Sequence, residues 1–523
     1  MNSILALHNS HNASICEIKN KEIVYFQEAE RLTQKKRSND WKILLKKYIN
    51  KNFDKIVFIN SKTDSSYALI TRENIEEILC QHKIKFKKLE FNQGHHFYHA
   101  CAAFFNSGLE ESYALIFDGS GSHLPTDDGG VDHPILARKE IASLYLFKKN
   151  KYKKIFKIYT SNKDKEYVDG KNFYIHTLSL GHTYSLVMHH LKFKEEGAVM
   201  ALSRYGDKVK PLNFFTKKFN HYKTLMFTPY LLCTHTKPTR TFIAYSIQEE
   251  LEQVVLSYVK NIIKNKKRNL CVSGGVFQNT VLNSKLLDIC PNLYVDPFAD
   301  DSGIAMGAAL WHLNKNQFVK HRIKTLFLGD SPNYSSLNLQ QGYEVSPTEV
   351  AKIIADKNIV GIYQGRNELG KRALGNRSFL YDPRDTHGKE KINLLKNREW
   401  CRPTAGTVLY EHRHEWFDLK SKDESEYMSY VFQVRKKDIP GVTHVDNSCR
   451  IQTLRQEQNY HYYNLINEFY KLTGVPLLLN TSLNLGGKPL ANSVEDVMDI
   501  FAFDYNFKFN YIYFPEIGKL YTK

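Results

Sequence analysis

The chain has 523 residues, with 73 Lys and Arg against 55 Asp and Glu for a formal net charge of +18, and 42% of its residues are apolar. This composition excludes a disordered or collagen-like chain, because it supplies enough apolar volume for a core. No window of 18 apolar residues and no basic segment followed by a long apolar one is present. We therefore expect neither a membrane span nor a secretory signal, and a cytoplasmic protein of about two to four domains.

The first half of the sequence repeats one pattern of strands and turns. Residues 4–26 predict a strand, a small polar turn, a second strand, a Lys-containing turn and a third strand. Residues 114–123, followed by 142–159, predict the same order. Two such copies are typical of an actin-like fold, a duplicated ribonuclease-H-type α/β domain whose turns offer N–H groups to phosphate.

The sequence after these copies predicts a helix and then a domain boundary. The segment 246–265 has a Ser start, early acidic residues and a basic end, which predict a capped helix. A polar stretch rich in Pro, Gly, Asn and Ser covers about 330–345 and predicts a boundary. We expect one domain over 1–335 and a second α/β domain over 345–523.

Two histidines and two aspartates are candidate metal ligands. His95 and His99 are four residues apart, so on a helix they share one face. Asp118 ends an apolar strand, and Asp301 lies just before a predicted helix. Such a mixed nitrogen and oxygen set suits iron or another first-row divalent ion. The alternative is a pair of hydrogen-bonded histidines without a metal.

The densest charged motif lies at 363–378, where four cations fall within twelve residues among glycines. Such a loop suits a compact anion such as a phosphate or polyphosphate, and the alternative is a basic surface loop with glutamate partners. Polar or charged residues also follow at 393–402, at 443–453 and at the end of an apolar strand at 474–490. The candidate anion- and nucleotide-binding residues are Arg366, Glu368, Arg372, Arg377, Ser378, Asn393, Lys396, Arg398, Arg402, Arg450, Asn480, Thr481 and Ser482.

The order of these motifs resembles the O-carbamoyltransferase family of nodulation-factor and antibiotic biosynthesis. The motifs that carry the resemblance are HNAS (11–14), HHFYHA (95–100), IFDGSG (116–121), SLGHTYS (179–185), GGVFQN (274–279), DSGIAMGAAL (301–310), GRNELGKRALGNRS (365–378), KNREWCRP (396–403), HVDNSCRIQT (444–453) and NTSLN (480–484).

The resemblance implies an actin-like carbamoyl-transfer domain followed by a domain similar to threonylcarbamoyl-adenylate synthase. The second domain would use carbamoyl phosphate and ATP to make carbamoyl-adenylate, and the first would transfer the carbamoyl group to a hydroxyl acceptor. The family's metal ligands would be His95, His99, Asp118 and Asp301, with Fe²⁺ expected there and Mg²⁺ accompanying ATP. The nucleotide in the transfer domain would contact Gly119, Gly274, Gly275 and Asn279.

His11 is the candidate catalytic base for the transfer, because a neutral imidazole is available near pH 7. Its alternative role is to shape the turn in which it lies. The chain departs from the family pattern twice. It has His11-Asn12-Ala13-Ser14 in place of HDAS, and residues 197–203 read GAVMALS in place of G-K-x-M-G-L-A.

The net positive charge of the chain is relevant to the identity of the hydroxyl acceptor. Lysine runs at 35–37, 83–88, 148–157 and 264–268 indicate either scattered solvated faces or a polyanionic partner. Because a neutral acceptor would not require this charge, we expect nucleic acid, specifically 5-hydroxymethylcytosine in DNA, flipped or single-stranded. The alternatives are a sugar hydroxyl on a secondary metabolite or surface glycan, and a nucleotide-binding module without transfer activity. The sequence does not indicate an oligomeric state.

Overall fold

The fold is taken from a computed structural model that describes residues 3–60, 70–92, 94–119, 139–160, 167–175, 179–206, 208–212, 214–216, 223–224, 239–264, 267–503 and 509–523. The IFDGSG motif and the lysine run at 264–268 extend beyond these residues. The chain divides into two compact units, Met1–Thr33 with Arg37–Lys324, and Gln34–Lys36 with Thr325–Lys523.

The first unit is built from short strands and helices. Its strands are β1 (Ser3–His8), β2 (Ser14–Lys19), β3 (Glu22–Glu28), β4 (Asn52–Ile59), β5 (Lys85–Asn92), β6 (Glu111–Phe117), β7 (Glu140–Lys148), β8 (Lys151–Thr160), β9 (Tyr167–Asp169), β10 (Asn172–Ile175), β11 (Phe215–Thr216), β12 (Lys223–Thr224), β13 (Leu270–Ser273) and β14 (Leu293–Val295). Its α-helices are α1 (Ala29–Thr33), α2 (Arg72–Gln81), α3 (His95–Asn106), α4 (Leu180–His190), α5 (Glu196–Leu202), α6 (Arg240–Ile263), α7 (Thr280–Leu286) and α8 (Gly303–Asn314).

Two sheets of the first unit share one topology. In the first, the order is β3–β2–β1–β4–β5, with β1, β2 and β3 antiparallel and with β4 and β5 parallel to β1. The second contains β8–β7–β6–β13–β14 with the same pattern of directions. The predicted actin-like, duplicated α/β fold is therefore confirmed.

Helix α6 begins earlier than the sequence indicated. The Thr239 hydroxyl accepts a hydrogen bond from the Phe242 N–H at 3.2 Å and caps the helix, so the helix starts at Arg240. Ser246, the predicted start, is buried inside the helix. The amphipathic pattern identified the helix, but an equally good capping residue upstream sets its first turn.

Close packing of α3 against α8 brings their functional residues together. A Cβ atom at Gly307 of α8 would lie only 1.9 Å from the Tyr98 carbonyl oxygen of α3, so the two backbones can approach only with glycine at this position. Both helices are almost entirely buried. Residues at the amino-terminal ends of these helices are therefore held rigidly in the interior of the unit.

The second unit is also α/β. Its strands are β15 (Tyr343–Glu344), β16 (Ile359–Tyr363), β17 (Arg377–Tyr381), β18 (Ala405–Leu409), β19 (Phe417–Asp418), β20 (Val431–Val434), β21 (Ser448–Leu454), β22 (Leu477–Ser482), β23 (Phe509–Phe514) and β24 (Lys519–Thr522). Its helices are α9 (Pro347–Ala355), α10 (Gly388–Leu395), α11 (Arg413–Trp416), α12 (Tyr460–Thr473) and α13 (Val494–Ala502). The strands form one sheet ordered β15–β24–β23–β16–β17–β22–β18–β21–β20–β19.

None of the helices in the described part of either unit is both long enough and apolar enough to cross a membrane.

Candidate functional site

The four predicted metal ligands converge in the first unit, and we call them the His/Asp cluster: His95, His99, Asp118 and Asp301. The two histidines project from the first turns of α3, Asp118 follows β6 directly, and Asp301 precedes α8. One coordinating atom from each residue lies within 4.8 Å of those of the others. The structure thus brings together residues that are up to 206 positions apart in the chain.

The distances within the His/Asp cluster are equal to or up to about half an ångström longer than those around a bound ion. His95 Nε2 lies 3.1 Å from Asp118 Oδ2 and 3.4 Å from Asp301 Oδ1. His99 Nε2 lies 3.5 Å from Asp301 Oδ1 and 3.9 Å from Asp118 Oδ2. Bonds of about 2.1 Å to a central ion would place neighbouring ligand atoms roughly 3.0–3.4 Å apart. The geometry therefore fits a first-row divalent metal after small adjustments.

The burial and protonation of the His/Asp cluster support the same interpretation. All four side chains are buried. His99 Nε2 is a buried polar atom without a hydrogen-bond partner among the described residues, which suits a metal ligand. Burial lowers the pKa of His95, but the carboxylates of Asp301 and Asp118 outweigh burial and raise the pKa to about 10. The two carboxylates therefore attract positive charge strongly.

Two serines that the sequence analysis missed support the cluster. The Ser273 hydroxyl oxygen lies 3.3 Å from Nδ1 of His99, on the opposite side of the ring from the cluster. The Ser10 hydroxyl donates to Asp301 Oδ2 at 3.4 Å. Partners of this kind orient metal ligands. The sequence feature that could have identified them is their position, since Ser273 ends the apolar strand β13 and Ser10 lies just after the apolar strand β1.

The predicted base, His11, lies beside this cluster. It is in the turn between β1 and β2, with Nδ1 3.6 Å from Asp301 Oδ2 and with 57% of its side chain exposed. Exposure makes the imidazole accessible to a substrate, while the aspartate fixes one side of its ring. The catalytic role of His11 stays a prediction.

The glycine turns next to the cluster hold Asp118. The N–H groups of Gly119 and Gly275 donate to Asp118 Oδ1 at 2.7 and 3.1 Å. Gly274 has a positive φ of 96°, and a Cβ atom there would lie 2.3 Å from the Phe117 carbonyl oxygen, so no other residue fits. These contacts orient Asp118, and both its role as a metal ligand and nucleotide binding by the glycines stay predictions.

Asn279 and Asn12 have identifiable local partners. The Asn279 carboxamide caps α7 and donates to Gln248 Oε1 at 2.8 Å, and its nucleotide-binding role also stays a prediction. Asn12, which stands where the family has aspartate, donates to Asp300 Oδ2 at 3.5 Å. An aspartate at position 12 would instead bring two carboxylates together, so the asparagine suits this neighbour. The other departure, at 197–203, lies in and directly after α5.

In the second unit, a buried glutamate organises the predicted anion-binding loop. Glu368 is fully buried between β16 and β17. Its carboxylate accepts the backbone N–H groups of Leu374 at 2.6 Å, Arg377 at 2.7 Å and Asn376 at 3.4 Å. These bonds fix the conformation of the loop from inside.

Two of the loop's arginines also bind the backbone. Arg366 and Arg377 donate to the main-chain oxygens of Leu328, Gly329, Gln364, Gly365 and Asn376. Arg377 is fully buried. The Ser378 hydroxyl accepts the N–H of Gly375 at 3.2 Å. The structure thus does not gather these side chains at one open point, and their anion-binding role stays a prediction.

We expect Glu368→Ala to destabilise the second unit by about 3 kcal/mol, because three buried N–H groups would lose a charged acceptor. Chemical denaturation followed by circular dichroism measures the change. Glu390→Ala is the matched control, since the Glu390 side chain is 68% exposed on α10 and its loss should cost less than about 0.5 kcal/mol. Equal effects of the two substitutions would contradict the assigned role of Glu368.

Four of the predicted residues are close enough for their charges to interact, and we call them the arginine cluster: Arg372, Arg398, Arg402 and Arg450. Burial lowers the pKa of Arg450 well below its usual value, and the charges of the other three arginines lower it further. Arg450 Nε is buried without a hydrogen-bond partner in the described part of the chain. Glu399 lies 4.0 Å from Arg402 as an ion-pair partner, and the anion-binding role of the four arginines stays a prediction.

Asn393 and the strand register position this cluster. The Asn393 carboxamide donates to the carbonyl oxygens of Trp400 and Arg402 at 3.2 and 3.0 Å and accepts from Arg398 Nε. Ala405 of β18 pairs with Arg450 of β21 on one side and with Asn480 of β22 on the other. Three segments far apart in sequence are thereby held in fixed register.

The remaining predicted residues lie at the end of β22. The Lys396 ammonium group donates to the hydroxyl and carbonyl oxygens of Ser482 at 2.9 and 2.5 Å. Asn480 donates to the Ala373 carbonyl oxygen at 3.2 Å, and Thr481 pairs with Phe379 of β17. These residues form the polar end of the strand beside the loop at 364–376.

The lysine runs are partly neutralised by local carboxylates. Among the described residues, the ion pairs of these runs include Arg37–Glu196, Lys87–Asp54, Lys88–Glu90, Lys148–Glu111, Lys149–Glu110 and Lys157–Glu140. These lysines therefore contribute less to a polyanion-binding surface than the sequence alone indicated.

The chain folds into two α/β units, the first with the His/Asp cluster and the second with the arginine cluster. Residues 42–310 match the family model described as Carbamoyltransferase N-terminus, and residues 351–513 match Carbamoyltransferase C-terminus. The chain belongs to the carbamoyltransferase family, as the motifs predicted.

Individual proteins show the same likeness. The chain is 32% identical to Nodulation protein NolNO of Sinorhizobium fredii over 78% of this chain, and it spans 61% of that protein's length. It is 30% identical to Nodulation protein NolO of Bradyrhizobium diazoefficiens over 78% of this chain and 75% of that protein. Among solved structures, full-length HypF in a phosphate- and nucleotide-bound form is similar over 60% of this chain and 46% of that one, with 15% identity and a TM-score of 0.39.

Proposed function

We propose that this chain is an ATP-dependent O-carbamoyltransferase that works in two steps. The observation that carries the proposal is the arginine cluster, four cations gathered in a unit that matches the carbamoyltransferase C-terminus. Such a concentration of guanidinium groups suits the phosphates of ATP and carbamoyl phosphate. The second unit would therefore make the activated donor, and the first would use it.

The first step consumes carbamoyl phosphate, ATP and one water. Water cleaves carbamoyl phosphate to carbamate and phosphate, and a carbamate oxygen then attacks the α-phosphorus of ATP. The bond to pyrophosphate breaks, which leaves carbamoyl-adenylate. The arginine cluster would hold the phosphate oxygens and balance their negative charge.

The second step forms the carbamate ester. The acceptor hydroxyl oxygen bonds to the carbamoyl carbon, the bond to AMP breaks, and the hydroxyl proton passes to His11. His95, His99, Asp118 and Asp301 would hold a divalent ion, for which we propose Fe²⁺, with Mg²⁺ as the companion of ATP. Such an ion supplies Lewis acidity toward an oxygen of the adenylate.

We expect His11→Asn to separate the two steps. The asparagine keeps a polar side chain in the turn but cannot take up a proton, so carbamoyl transfer should fall about 10²–10⁴-fold. Adenylate formation, measured as pyrophosphate release in the presence of carbamoyl phosphate, should be unchanged. Full transfer activity in this variant would mean that His11 only shapes its turn.

For the acceptor, we propose a hydroxymethylated pyrimidine in DNA, with 5-hydroxymethylcytosine as the first candidate. The net charge of +18 supports a polyanionic acceptor. A sugar hydroxyl is the second candidate, and the similarity to two nodulation proteins and the local pairing of the lysine runs favour it.

The test incubates the full chain with carbamoyl phosphate, ATP, Mg²⁺ and Fe²⁺. Single-stranded and duplex hydroxymethylated DNA and a panel of sugars are offered in parallel, and mass spectrometry detects the added carbamoyl group. Modified sugars without modified nucleosides would reverse the order of the acceptors. Nucleotide binding without ATP consumption under every condition would overturn the proposal in favour of a binding module.

A further inference from the structure

A group of lysines in the first unit lies apart from both clusters described above. Lys55 of β4 and Lys88 of β5 are direct neighbours in the parallel pairing of these strands. Like charges at opposed positions of a sheet are destabilising. Lys315, at the carboxyl end of α8, joins them, and we call the three residues the lysine cluster.

One carboxylate oxygen forms ion pairs with all three ammonium groups. Glu90 Oε1 lies 2.9 Å from Lys88 Nζ, 3.4 Å from Lys315 Nζ and 3.9 Å from Lys55 Nζ. Glu90 is the ion-pair partner of each lysine within the described ranges. Three cations against one anion leave two positive charges in excess at this point.

Lys88 is 61% exposed and Lys315 29%, so solvent screens the charge of Lys88 but screens the charge of the buried Lys55 much less. The Lys55 side chain is 4% exposed, and burial together with the charge of Lys315 lowers its pKa. The negative end of the α8 dipole favours a cation at Lys315. That dipole explains Lys315 but does not explain why Lys55 is buried against Lys88.

A buried histidine completes the arrangement. His312 of α8 is 6% exposed, and its Nδ1 has no hydrogen-bond partner among the described residues. His312 is three residues before Lys315 at the end of α8, so the two side chains share one face. Burial lowers the pKa of His312 to about 3, and the charges of Lys315, Lys55 and Lys88 act in the same direction. A neutral imidazole beside excess cations can donate one more hydrogen bond to an anion.

We propose that Lys55, Lys88 and Lys315, with His312, form a binding site for a phosphate group, separate from the arginine cluster and from the His/Asp cluster. Inorganic phosphate as a dianion would offset both excess charges, and a phosphodiester, which carries one negative charge, would offset one of them; either would relieve the repulsion between β4 and β5. The phosphate is either free inorganic phosphate or a phosphodiester of a nucleic acid strand. The site does not depend on the reaction proposed above.

Equilibrium dialysis of radiolabelled inorganic phosphate against the full chain tests the proposal in low-salt buffer. Lys88→Gln should weaken one class of bound phosphate at least tenfold. Lys87→Gln is the matched control: it removes the same charge from the next residue, which is 82% exposed and pairs with Asp54 at 2.6 Å. Phosphate bound at the arginine cluster should respond to neither substitution.

The result that supports the site is a loss of bound phosphate in Lys88→Gln and no loss in Lys87→Gln. Equal binding in the wild type and both variants, or equal losses in both variants, would overturn the proposal. Thermal unfolding gives a second readout, since phosphate should raise the Tm of the wild type more than that of Lys88→Gln. A decamer of single-stranded DNA should displace the labelled phosphate from this class if the source is a phosphodiester, and should leave it bound if the source is free phosphate.

Discussion

Replacing Arg450 by methionine is expected to abolish adenylate formation and at the same time to stabilise the fold. Methionine fills much of the same volume but removes a buried cation that repels three other arginines. We expect pyrophosphate release to fall at least about 100-fold, because the charge that opposes the phosphates is lost. The free energy of unfolding should rise by about 1–3 kcal/mol, since a buried charge with like neighbours is replaced by an apolar group.

The control for this prediction is Arg377→Met in the same unit. Arg377 is equally buried, but it donates to three main-chain carbonyl oxygens and lies with its guanidinium carbon 3.7 Å from the Tyr363 ring centroid. Its loss should destabilise the fold by about 3 kcal/mol, because those carbonyls would lose a charged donor. Opposite signs of the Tm change in the two variants separate the ligand-facing arginine from the structural one. A lower Tm for Arg450→Met would contradict the arginine cluster as a site of unbalanced positive charge.

The parts of the fold and site that local pattern and chain order encode were predictable. The two strand-turn-strand copies indicated the duplicated actin-like fold, because alternation and turn residues are local properties. The spacing of His95 and His99 indicated a shared helix face for the same reason. Asp118 was recognisable because it ends an apolar strand next to Gly119, and Asp301 because it lies just before a predicted helix.

The direction in which a polar side chain points was not predictable. Glu368, Arg372 and Arg377 lie within ten residues of one another, yet the first and third face the loop's own backbone while Arg372 joins the arginine cluster. Composition treats these residues alike, since all of them suit an anion-binding loop. The pairing register of the strands determines which of these side chains faces the backbone and which faces the arginine cluster. That register is set only when segments distant in sequence pair with one another.

The same limit applies to charge. The run at 83–88 read as a uniform basic segment, but β5 directs Lys87 toward Asp54 and Lys88 toward Glu90. Alternation along a strand sends neighbouring lysines to opposite faces, so one is neutralised while the other joins an excess of positive charge. The net charge therefore overstates the positive charge available at Lys87, and it does not reveal the excess of positive charge at Lys88.

Asp301→Asn is expected to remove the metal from the first unit and to abolish carbamoyl transfer while adenylate formation continues. The amide has the shape of the carboxylate but lacks its charge, so the affinity for a divalent ion should fall at least about 100-fold. Metal content after dialysis against defined Fe²⁺, measured by mass spectrometry, provides a readout independent of activity. Pyrophosphate release should stay at the wild-type level, because the arginine cluster belongs to the second unit.

Asp300→Asn is the matched control for that experiment. Asp300 is also buried and lies one residue away, but its carboxylate accepts from Ser302 and Asn12 and is not part of the His/Asp cluster. We expect this variant to keep its metal. If Asp301→Asn retained a full complement of metal, the cluster would be a hydrogen-bonded histidine pair, and the Lewis acid would have to be sought elsewhere. If both variants lost the metal, the segment before α8 would be required as a whole, because Asp300 holds Ser302 at the start of the helix that carries Asp301 into place.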